Sequence, residues 1–108
     1  MAKPNDWNSD VVKGVEVVSR VLNGVVSFGT TAVPISSEDT DINWIILFNL
    51  GTATVYIGNS TVTATGSTRG LPMRPNGETP KLKVDSLNVL YLISGSASQE
   101  VAYLAGVK

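Results

Sequence analysis

Between Asp41 and Gly58 the chain carries its densest apolar run, Ile42-Asn43-Trp44-Ile45-Ile46-Leu47-Phe48-Asn49-Leu50, followed by Val55-Tyr56-Ile57. In an extended chain successive side chains point to opposite faces, so Ile42, Trp44, Ile46, Phe48 and Leu50 line one side while Ile45 and Leu47 sit on the other. The pattern predicts a central strand that is apolar on both faces. One face then needs a core and the other a covering loop or a neighbouring subunit. A helix fits less well, because the run is short, β-branched and aromatic, and ends in Asn-Leu-Gly before a second β-like segment. Leu50-Gly51-Thr52-Ala53 reads as the turn into that segment.

Shorter runs repeat the pattern on both sides. Val25-Val26-Ser27-Phe28 and Ala32-Val33-Pro34-Ile35 predict two strands, the second placed at an edge by Pro34, which has no N–H to donate. Gly58 to Gly70 reads as a long exposed loop with a brief extended piece at Thr61 to Thr63. Pro75-Asn76-Gly77 is a turn signal, with Asn or Gly supplying a positive φ. Lys81 to Asp85 alternates as a half-exposed strand. Leu87 to Ile93, the second dense apolar stretch, is expected beside the first and to form a final hairpin with Val101 to Leu104. The tally is seven or eight short strands with turn signals every 8 to 12 residues, which predicts an all-β, antiparallel β-sandwich or jelly roll over residues 24–108.

Residues 1–23 read as an N-terminal arm. Residues 1–9 are polar apart from Trp7, which either folds back on the domain or anchors on a partner. Residues 10–22 leave two readings open: Val11, Val15, Val18 and Leu22 share a helical face, with Glu16 and Arg20 paired at i, i+4. The valine-rich run around Gly14 favours an extended strand that would pair outside the core.

Composition narrows the chemistry. The chain has 108 residues, one domain's worth, with 43% apolar and only 16% charged residues and a net charge of −1. Eight scattered Lys and Arg give no electrostatic footprint for nucleic acid. With neither Cys nor His, the chain lacks thiolate chemistry, the commonest general base and the commonest nitrogen metal ligand. No apolar run reaches the roughly 20 residues of a membrane span, and Met1 to Asp6 has no signal-peptide core, so a soluble protein made in the cytoplasm is expected.

The acids of Ser36 to Asp41 have no calcium-loop spacing and read as a solvated loop. Gly66-Ser67-Thr68-Arg69-Gly70 lacks the spacing and the helix of a phosphate-binding loop. The serines have no base to activate them, and a Ser/Lys dyad with Lys81 or Lys83 would need burial that an alternating strand does not give. The expectation is a protein that is not an enzyme, without metal, cofactor or small-molecule substrate. A carbohydrate-binding module competes, but Trp44, Tyr56, Tyr91 and Tyr103 all fall in strands, where core packing is the expected role.

Four stretches then carry a resemblance: Gly24 to Ile35, Asn49 to Gly58, Gly70 to Gly77, and Leu87 to Ser94. Together they resemble a small β-sandwich domain that recurs among tailed-bacteriophage virion proteins, including head-decoration (capsid cement) proteins and modules of fibres and baseplates. Two features depart from it: Asn76 is inserted where such domains often read Pro-Gly-Glu, and residues 1–23 have no counterpart. The resemblance implies a structural virion protein on the capsid surface, a homotrimer bound to the major capsid protein. A tail-fibre or baseplate module is the alternative. The candidate partner-binding residues are Trp7, Val11, Val12 and Val15 of the arm, with Ile45 and Leu47 on the second face of the central strand.

Overall fold

The computed structural model describes residues 20–108. Seven strands form two antiparallel sheets: β1 (Arg20–Phe28), β2 (Val33–Pro34), β3 (Ile42–Asn49), β4 (Val55–Gly58), β5 (Leu71–Met73), β6 (Tyr91–Ser94) and β7 (Gln99–Val107). One sheet has three strands in the order β1-β7-β3, and the other has four in the order β2-β6-β4-β5. This is the expected all-β sandwich. No α-helix occurs among the described residues, only short 3-10 turns at Gly66–Thr68 and Leu87–Val89.

The core lies between the sheets. Ile42, Ile45, Leu47, Val101 and Ala105 of the three-stranded sheet are fully or almost fully buried against Val55, Ile57, Leu92 and Met73 of the other. Burying a side chain of this size contributes roughly 1.5–3 kcal/mol, so this layer supplies most of the driving force for folding.

Several connections differ from the sequence expectation. Leu87 to Ile93 does not lie beside β3: β6 pairs with β2 and β4 and faces β3 across the core. Nor do β6 and β7 form a hairpin, since they belong to different sheets. The four-residue connection between Ser94 and Gln99 carries the chain over the roughly 10 Å between layers, turning through Ser98 at φ 59°. Strand β1 is described from Arg20 onward, so residues 20–23, assigned to the arm, lie in the sheet. The rest of the arm lies outside the described residues.

Lys81 to Asp85 is not a regular strand, yet it has a strand's task. Residues 76–87 run along the free edge of β3 through bridges of Glu78 to Phe48, Leu82 to Ile45 and Ser86 to Asp41. Backbone bonds at each step, such as Ile45 N–H to Leu82 O at 2.9 Å and Leu82 N–H to Ile45 O at 2.8 Å, satisfy that edge. The run is launched by the expected turn, in which Asn76 has φ 63° and Gly77 N–H donates to Arg74 O at 2.8 Å.

One glycine is dictated by packing. A Cβ at Gly24 would stand 2.9 Å from the ring of Tyr103, its cross-strand partner on β7. Tyr103 thereby packs over β1 and against the core. Gly24→Val displaces this ring and is expected to cost about 1–3 kcal/mol, measured by chemical denaturation.

Candidate docking face

Parity and one irregularity decide what β3 shows to the outside. Ile42 pairs with Val107 and Trp44 with Gly106, so Asn43 is an extra residue, a β-bulge. The bulge resets the alternation and lets Ile42 join Ile45 and Leu47 on the core face, all three at 0% exposure. The expected assignment of the two faces is therefore corrected. Ile45 and Leu47, expected to meet a partner, are sealed inside the domain, and Trp44, Ile46 and Phe48 point outward, half-buried. Both faces are apolar, so the alternation alone did not say which would meet the second sheet.

The outward residues of β3 continue into a larger surface. Ile46 stands opposite Leu104 and Phe48 opposite Ala102 on β7, which in turn face Asn23 and Val25 on β1. Val21, Val25 and Leu104 are 51%, 55% and 40% exposed. The outer face of the three-stranded sheet is thus a broad apolar area with a polar margin. Lys81 places its ammonium 5.0 Å from the centre of the Trp44 ring at one end, and Ser27 with Glu100 closes the other. A contiguous apolar area rimmed by polar groups marks an interaction surface.

The other sheet is covered differently. Tyr56 and Tyr91 lie half-buried on its outer face, so these two aromatics do not pack in the core as expected, whereas Tyr103 does. The loop after β4 folds back here. Val62 sits where a Cβ on Gly58 or Gly70 would stand, within 2.7 Å in both cases, and is buried together with Ile93 outside the main core.

The expected turn at residues 50–53 is fastened from within by two buried amides that sequence reasoning passed over. Asn49, at 0% exposure, donates to Ala53 O and Met73 O, each at 2.9 Å, and accepts from Gly51 N–H at 2.8 Å. Gln99 Oε1 accepts from Thr52 and Ala53 N–H at 2.9 and 3.0 Å, and its Nε2 donates to Ala97 O at 3.0 Å. These side chains are structural, and the oxygen and nitrogen of each amide have partners.

Clefts lie at the start of β3 and along β5. One of about 610 Å³ is lined by Ile42, Asn43, Lys83, Val84, Asp85, Val89 and Lys108. Asp85 is its one side-chain carboxylate, so it lacks the pair of acidic side chains needed for glycoside hydrolysis, and Asn43, Lys83 and Lys108 already have partners. A second cleft of about 380 Å³ runs along β5 between Leu71 and Pro80. In the acidic loop, Asp39 accepts a hydrogen bond from Ser86 Oγ at 2.6 Å. The described residues contain no cluster of three or more potential metal ligands and no helix long and apolar enough to cross a membrane. Trp7, Val11, Val12 and Val15 lie outside the described residues.

No protein-family model matches the chain, and no curated protein matches it in sequence. Among solved structures it is similar to a protein of Bacillus endospore appendages, described as disulfide-linked pili. The TM-score is 0.46 at 13% identity, over 82% of this chain and 87% of that one. It is also similar to the dTDP-6-deoxy-D-glucose-3,5-epimerase of Legionella pneumophila, with a TM-score of 0.42 at 7% identity; there the whole of this chain covers 58% of the other. The chain is a small antiparallel β-sandwich with weak structural similarity to both.

Proposed function

We propose that this protein is a structural component that grips a partner instead of turning over a substrate, and that it decorates and stabilises a tailed-bacteriophage capsid by binding the major capsid protein. The observation that carries the reading is the outer face of the three-stranded sheet, where Trp44, Ile46 and Phe48 join Leu104, Val21 and Val25 in a surface too apolar to be left in water. Large aromatic and aliphatic groups inside a polar rim are the usual anchors of a protein interface. The valine-rich residues before Arg20, with Trp7, precede the first described strand in the sequence and are taken as a second anchor. A protein that binds only the assembled shell stabilises that shell by mass action, so decoration requires no chemistry.

Co-sedimentation with expanded empty heads tests this. Full-length protein is expected to pellet with heads at a fixed ratio to the shell subunit and to delay their heat disruption. Phe48→Glu, at an outward position, is expected to weaken that binding at least about tenfold while the fold persists, because it buries an unpaired charge in the contact. Deletion of residues 1–18, which spares β1, is expected to weaken binding as well. Unaltered binding by both variants rejects the assigned surface. Binding to isolated tails but not to heads makes the protein a fibre or baseplate module. A glycan-array signal removed by Tyr56→Ala would favour the carbohydrate reading, which the outward Tyr56 and Tyr91 keep in contention.

A further inference from the structure

A sheet edge leaves a row of backbone N–H and C=O groups unpaired, and folded proteins shorten, interrupt or cover such edges. Three of the four edges here are treated in this way. β2 has two residues and contains Pro34, β5 has three and contains Pro72, and the edge of β3 is closed by residues 76–87. β1 differs from all of them. It has nine residues, is bonded to β7 on one side, and meets no strand or bridge on the other among the described residues. From Val21 to Phe28 it holds neither charge nor proline.

We infer that β1 is the seam of a homodimer: the β1 strands of two copies pair antiparallel about a two-fold axis and fuse their three-stranded sheets into one continuous sheet. The apolar faces stay on one side only if each residue meets another of the same parity, which places the axis on a residue. Centred on Gly24, the seam sets Val21 opposite Ser27, Leu22 opposite Val26 and Asn23 opposite Val25. No like charges meet, since Arg20 falls opposite Phe28. Such a contact is isologous and closes at two copies, unlike the trimer implied by the resemblance.

The chain's own N-terminal residues are the less suited occupant. A reversal at Lys13-Gly14 would set residues 1–7 against residues 20–26, and that stretch, Met-Ala-Lys-Pro-Asn-Asp-Trp, holds Pro4, Asn5 and Asp6, residue types depleted in strands. The size of the seam sets its strength. Nine residues extend over about 30 Å, and a sandwich two sheets thick adds about 10 Å of depth, which gives a few hundred Å² per partner. That is at the low end of specific interfaces, so the dimer is weak and concentration-dependent. Pairing brings two outer faces side by side and doubles the apolar area on one side, whatever partner that face meets.

Sedimentation velocity of the full chain from micromolar to millimolar concentration tests the seam. A monomer–dimer equilibrium is expected, and Asn23→Lys with Val25→Lys, both at exposed positions, is expected to weaken it at least about tenfold by setting lysines against each other across the axis. As a check that needs no variant, an NMR sample mixing labelled and unlabelled wild-type protein is expected to show contacts between copies confined to residues 21–27. A monomer at every concentration, a trimer, or a dimer indifferent to the two lysines would overturn the inference. So would slow exchange of the outward β1 amides in the monomer, which would put residues 1–19 of the same chain on that edge.

Discussion

Asn49→Leu is expected to lower the thermal midpoint by about 15–30 °C, although the replacement matches the side chain in size and is the more hydrophobic. The amide is fully buried, and its three hydrogen bonds reach Ala53 O, Met73 O and Gly51 N–H. Leucine takes this partner from two carbonyls and one N–H, that of Met73 buried and the other two part-buried. Each orphan costs about 1–3 kcal/mol, so a loss near 4 kcal/mol is expected, a large fraction of the 5–15 kcal/mol that stabilises a small domain. Asn59→Leu is the contrast. Asn59 accepts from Thr61 N–H and Oγ1 at 3.0 and 2.9 Å in an exposed loop where water can replace it, so less than about 1 kcal/mol is expected. Circular dichroism melts of the two variants check the difference; equal shifts would mean that the Asn49 network does not fasten the turn.

The next largest effect separates neighbouring residues on one strand. Leu47→Ala is expected to cost about 2–5 kcal/mol, because its side chain is fully enclosed between the sheets and alanine leaves a cavity. Phe48→Ala removes a larger group, yet it is expected to cost only about 1 kcal/mol, since that ring points out of the sandwich and is half-exposed. Urea titrations give both values. The inverse order, with Phe48→Ala the more damaging, would show that the aromatic face of β3 and not the aliphatic one forms the core. The same pair separates folding from docking: Leu47→Ala is predicted to lose stability first, and Phe48→Ala to lose partner binding first.

Particular residues show how much of this was written in the chain. Proline at position 34 announced an edge, and β2 is one; Pro75-Asn76-Gly77 announced a turn with positive φ, and Asn76 provides it. The alternation of apolar residues from Ile42 to Phe48 required a strand with two apolar faces, and it has them. The pattern could not say which face is the interior. Ile45 and Leu47 look no more core-like than Ile46 and Phe48, and the bulge at Asn43 that moves Ile42 to their side leaves no trace in a polar/apolar string. The hairpin expected between β6 and β7 failed for a related reason: adjacency along the chain suggests pairing, while the choice of sheet depends on which strand already has its edges filled. With β1 and β3 on either side of it, β7 has no free edge for β6.

The amino-acid sequence by itself determined the class of fold, since β-branched and aromatic runs of strand length separated by Gly, Pro and Asn turns can bury their apolar positions only as sheets laid face to face. It also removed whole chemistries at a stroke, because a residue type that is missing cannot be recruited from elsewhere in space. Tertiary structure alone decided which of two equally apolar faces is the core, which asparagine is a strut and which a loop residue, and which sheet edge is left unpaired among the described residues. These depend on register, on one extra residue in a ladder, and on contacts between positions far apart in the chain, and a one-dimensional pattern holds no record of them.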